Sequence, residues 1–150
     1  MSDAGSCQLS HQELDQLWQA VRNATAAVRR QLAAELQPEG LSESLFAALL
    51  CLAQVPDHRL PVTALASRVG MSNGAFTKVV DRLDDGGYIA RDTCAVDRRI
   101  HYAVLTDEGR ALVERLLPLY HGSLRRAFAE PLGAHRVRLL REMLGAVAAA

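Results

Sequence analysis

Cysteine is scarce: Cys7, Cys51 and Cys94 are far apart and odd in number, so neither a zinc ribbon nor a disulfide framework is expected. An excess of charge of one sign is also missing. Seventeen basic residues oppose seventeen acidic ones, which excludes a polycation but leaves room for a local basic surface. The richest apolar run, Leu45 to Val55, is too short to cross a bilayer. The opening MSDAGSCQLSHQELD lacks the basic head and apolar core of a signal peptide. A reducing, cytoplasmic compartment and no membrane partner are therefore expected. Catalytic signatures are absent too: there is no glycine-rich phosphate loop, nucleophile motif or paired-carboxylate pattern. The sequence reads as a non-enzyme without a cofactor. His11, His58, His101, His121 and His135 show no short ligand spacing, and no metal is expected.

What is present is a chain of 150 residues, 49% apolar and 23% charged, the balance of one folded domain that needs no staple. Residues 1–9 are small and polar and are expected to be disordered. From Ser10, Leu14, Leu17, Trp18, Val21, Ala24, Val28, Leu32 and Leu36 recur at three- and four-residue steps on one helix face, until Pro38 and Gly40 stop it. So long a stripe needs a surface to bury it, and a partner subunit is one answer. A second helix opens at Ser42, a good N-cap, and carries Leu45, Phe46, Leu49, Leu50 and Ala53 as a central core element.

The middle of the chain is the informative part. Val62, Leu65, Ala66 and Val69 make a short amphipathic helix ending at Gly70. After Met71-Ser72, a second periodic segment has Ala75, Phe76, Val79, Val80 and Leu83 as its apolar residues and closes at Gly86-Gly87. Asn73-Gly74 is also a hairpin signal, but its flanks repeat at helical spacing and do not alternate. The period then changes. Tyr88–Thr93 and His101–Leu105 read as strands around a polar connection, Cys94 to Arg99, with Arg98 and Arg99 near its tip. Arg59-Leu60-Pro61 is a candidate short strand. Thr106 caps a further helix carrying Leu112, Val113, Leu116, Leu117, Tyr120, Leu124 and Phe128, with a kink or break expected at Pro118. A last helix, after Pro131 and Gly133, carries Val137, Leu140, Met143, Leu144 and Val147. The fold class is mainly α (α+β), a winged helix-turn-helix.

On the second helix of that pair, Phe76, Val79, Val80 and Leu83 turn inward. Ser72, Asn73, Gly74, Thr77, Lys78 and Arg82 remain for a ligand. Hydroxyl, amide and cationic side chains read base edges and phosphates in a major groove. Gly74 allows close backbone approach, and a helix N-terminus suits a phosphate. Arg98 and Arg99 can enter a minor groove, with Asp97 orienting one of them. Asp81, Asp84, Asp85 and Asp92 weaken the local positive field, so non-specific affinity is expected to be modest. Double-stranded DNA is the expected partner. The alternative is a winged-helix dimerisation or protein-interaction module that never touches DNA.

At these residues the chain resembles the MarR family of bacterial transcription regulators. Asp97-Arg98-Arg99, followed by Leu105-Thr106-Asp107-Glu108-Gly109, fits the family's D-x-R-x5-L-T-x-x-G wing signature, and Ser72 to Leu83 is similar to its recognition helix. The resemblance implies a single domain over 10–150, with dimerisation helices about 10–36 and 106–148 and the winged helix-turn-helix about 42–105. It also implies a homodimer that represses from a pseudo-palindromic operator and, in many members, is released by a small aromatic or anionic effector. The sequence identifies neither an effector nor its site, nor the operator or the regulated genes. Peroxide-sensing members carry a reactive cysteine inside the first helix, where this chain has Leu17 and Trp18. Cys51 reads as a buried small residue and Cys94 as an unactivated surface thiol. Trp18 and Tyr120 read as core aromatics rather than as a ligand crevice.

Overall fold

A computed structural model describes residues 9–149. Residues 1–8, with Cys7 and most of the stretch expected to be disordered, lie outside the described residues, and so does Ala150. Helix α1 spans His11–Leu36. Ser10 caps it in a reciprocal box: its hydroxyl accepts from the Glu13 N–H, and the Glu13 carboxylate accepts from the Ser10 N–H. A 3₁₀ turn over Gln37–Glu39 ends at Gly40, whose φ of 71° is left-handed. Helix α2, Glu43–Ala53, starts from the Ser42 cap. Strand β1 (Arg59–Pro61) leads into α3 (Val62–Val69) and α4 (Asn73–Asp85). Strands β2 (Ile89–Thr93) and β3 (His101–Leu105) form the hairpin, and α5 spans Asp107–Leu124.

All three strands are antiparallel in the order β1-β3-β2. The register pairs Leu60 with Ala103 on one side of β3, and Arg91 with Ala103 on the other. Phe46, Leu49, Leu52, Leu65, Phe76, Val80, Leu83, Ile89 and Leu105 are buried together with Leu112, Val113 and Leu116 of α5. One core therefore joins α2, α3, α4, the sheet and the first half of α5. Two polar ties fix α1 to the far end of α5. Gln31 donates to the Ser123 carbonyl at 3.2 Å, and Arg126 pairs with Glu35.

The expectation at Pro118 is overturned: α5 runs unbroken through it to Leu124. Pro118 and Glu114, whose carbonyl loses its donor, are both exposed, so water can supply the missing bond. The irregularities lie further on. A π-helical turn occupies Arg125–Ala129, with the Glu130 N–H reaching the Arg125 carbonyl. In α6, Glu130–Ala148, Gly133 departs from helical geometry at φ 75°, ψ 159°. Trp18 also departs from its expected core role, being 62% exposed. Tyr120 does pack inward, its ring 5.2 Å from that of Phe46.

Candidate nucleic-acid interface

Helix α4 is held by its apolar face and leaves its polar face outward. Phe76, Val79, Val80 and Leu83 are buried, and Ser72, Asn73, Gly74, Thr77, Lys78 and Arg82 are all exposed. The Ser72 hydroxyl accepts from the Ala75 N–H as the helix cap. Thr77 spends its hydroxyl proton on the Asn73 carbonyl at 3.1 Å, leaving the oxygen as an acceptor for a ligand. Ala75 was grouped with the apolar residues by spacing but is exposed beside Asn73 and Gly74. Its methyl group adds a small apolar spot to an otherwise polar face. The helix turns off at Gly86-Gly87, and only Gly87 is left-handed, at φ 73°.

The wing projects beside α4. Its loop closes through two backbone bonds, Cys94 N–H to the Ile100 carbonyl and Ile100 N–H to the Asp97 carbonyl, both 3.0 Å. Asp97 Oδ1 accepts from the Arg99 backbone N–H at 3.0 Å and from Arg99 Nε at 3.3 Å. Of the two candidate arginines, Asp97 thus orients Arg99, while Arg98 is exposed and makes no ion pair among the described residues. Val96, at 96% exposure, is an apolar tip that the polar composition of the connection concealed.

Between α4 and the wing runs a cleft of about 350 Å³, lined by Thr63, Thr77, Arg91, Arg99, Ile100 and His101 among others. Arg91, not singled out by sequence spacing, bridges two carboxylates of α4: it pairs with Asp81, and its Nε donates to Asp84 at 2.8 Å. Those two bonds push its pKa further up. Across the sheet, Arg59 donates to Asp92 at 2.7 Å and stacks 3.7 Å over the Tyr102 ring. Three of the four acids expected to weaken the local field, Asp81, Asp84 and Asp92, are therefore matched by arginines. Among the described residues only Asp85 of the four has no ion pair.

Two thiols differ in setting. Burial raises the Cys51 pKa, although the residue is only half-buried. The backbone N–H groups of Asp97 and Val96 lower that of Cys94, so the wing thiol is not the unperturbed one that its surface position suggests. Among the described residues, no His, Cys, Asp and Glu side chains group closely enough to hold a metal ion. No helix there is long and apolar enough to cross a membrane.

A family model, the MarR family, matches residues 41–101, the stretch from α2 to the first residue of β3. The chain belongs to the MarR family. Its relatives include the transcriptional repressor MprA of Escherichia coli K12, 32% identical over 59% of this chain. The chain spans about half the length of the curated relatives it matches. Among solved structures, Streptomyces coelicolor Sco3205, a MarR family transcriptional regulator in complex with DNA, superposes with a TM-score of 0.84. The identity is 28%, covering 94% of this chain and 92% of that one. The Mycobacterium tuberculosis MarR family protein Rv2887, in complex with salicylic acid, superposes at 0.66 with 27% identity, covering 95% and 98%. Like these relatives, this MarR chain is mainly helical with one small antiparallel sheet.

Proposed function

We propose that this MarR-family chain is a non-enzymatic, sequence-specific DNA-binding repressor that works in the cytoplasm as a homodimer. The observation that carries the reading is the outward polar face of α4, with Asn73, Thr77, Lys78 and Arg82 exposed, set beside a wing that presents Arg98 and Arg99. In this reading α4 lies in a major groove, where Asn73 and Lys78 meet base edges and Ser72 and Arg82 meet phosphates. Gly74 lets the backbone approach, and the wing arginines reach the adjacent minor groove. Sco3205 was solved with DNA on the same fold, which supports it.

Dimerisation rests on an uncovered apolar surface. Leu14, Leu17 and Trp18 of α1 and Met143, Leu144 and Val147 of α6 are between 47% and 75% exposed, and together they line a cleft of about 360 Å³. A two-fold mate packed there would set the two α4 helices about 34–36 Å apart, one turn of B-form DNA. A second apolar cleft of about 290 Å³ lies between α1, α2 and α6, with Val28, Leu32, Phe128 and Leu140 in its walls and Arg29 at its edge. It suits a small aromatic acid. A ligand there that favours the wrong spacing of the two α4 helices by about 1–3 kcal/mol would lower DNA affinity roughly 5- to 150-fold.

Selection of bound duplexes from a random library tests the function. A two-fold symmetric motif, with affinity falling steeply as salt rises, is the expected result. An unenriched pool with a flat salt response overturns the reading in favour of a protein-interaction module.

A further inference from the structure

Helix α4 carries Lys78 and Arg82 against Asp81, Asp84 and Asp85. Its own side chains thus sum to one negative charge, and the three acids crowd its C-terminal half, where the helix dipole is already negative. A polyanion would be repelled by such an element. The structure supplies the correction from outside the helix. Arg91 on β2 reaches across to Asp81 and Asp84 together, and the same arginine lines the cleft between α4 and the wing, with Thr77 and Arg99. If α4 enters one groove and the wing the next, the phosphate strand separating those grooves has to pass over this cleft.

We infer that Arg91 is a positioning residue for DNA: it cancels the charge of Asp81 and Asp84 where the phosphate backbone crosses, without itself reading sequence. The inference rests on the DNA-binding reading proposed above. In this arrangement the guanidinium fork is held by two carboxylates and is not spent on phosphate. Its removal bares two acids facing a polyanion, and the removal of all three leaves a neutral patch.

The test uses the full chain and the duplex selected for the wild type, titrated at about 50 mM and about 200 mM salt, with Arg91→Gln, Asp81→Asn/Asp84→Asn and the triple variant. Arg91→Gln is expected to weaken binding about tenfold at the lower salt, and less at the higher salt, as screening removes the repulsion. The triple variant is expected to return to within about threefold of the wild type. Melting and sedimentation of each variant confirm that fold and assembly are kept, so that rescue by removing the acids reads charge and not folding. Unchanged binding by Arg91→Gln overturns the inference. So does a triple variant as weak as Arg91→Gln, which would make Arg91 a phosphate contact. A wild type that binds no duplex overturns the DNA-binding reading and the inference with it, a result distinct from the other two.

Discussion

Gly109 sits in the first turn of α5, where a β-carbon would run into the Tyr88 carbonyl oxygen and come within 2.8 Å of Leu105 Cδ1. Backbone cannot yield as a flexible side chain can, so Gly109→Ala is expected to cost about 3 kcal/mol, read as a drop in the denaturant midpoint. In the sequence, this glycine was visible only as the last position of the wing signature, and its physical reason needed the fold. The same holds for Asp97: adjacency to two arginines was legible, but the choice of Arg99 follows from the loop geometry. Arg91 was hidden because its partners are seven and ten residues away on another element. The thiols yield a further expectation. With Cys94 lowered by backbone N–H groups and Cys51 raised by burial, site-resolved alkylation near pH 8 should modify Cys94 first, because the thiolate is the reacting form. Equal rates would show that the wing N–H groups have no such effect in solution.

At the scale of elements, the periodic segments were plain because burial and period agree. On α4, Phe76, Val79, Val80 and Leu83 turn inward at steps of three, one and three. Ala75 escaped that logic because a single methyl group is tolerated on either face. Pro118 misled because local propensity was weighed alone. The helix around it is anchored by Leu112, Val113 and Leu116, all buried, and that packing outweighs one lost hydrogen bond. Since the ring is exposed and fills no core space, Pro118→Ala should restore the bond to the Glu114 carbonyl. It is expected to raise stability by about 1–2 kcal/mol, after allowance for the greater freedom of the unfolded chain. Thermal melting checks this, and a lower melting temperature would mean that the proline relieves a bend that α5 requires.

At the scale of the whole molecule, the apolar stripe of α1 divides in two. Leu32 and Leu36 are buried within the subunit, but Leu14, Leu17 and Trp18 are not. The sequence displayed the stripe; it could not display where one subunit's cover stops. Leu17→Glu should leave the protomer folded, since Leu17 is 58% exposed, while placing charge in the proposed mating surface. Sedimentation is expected to report monomer. Affinity for the selected duplex should fall at least about a hundredfold, because a second half-site can no longer be held at high effective concentration. A variant that stays dimeric would relocate the interface.

Strand β1 is only three residues long, yet it pairs with β3, and Arg59 fastens it to Asp92 and Tyr102 on the two strands beyond. A bare two-stranded flap is marginal in water and could flex independently. Hemmed on its inner edge by the segment that enters α3, this hairpin has no such freedom. Fingertip and palm swing as one rigid caliper jaw, so a change in the gap between twin jaws would lift both from the duplex in a single stroke.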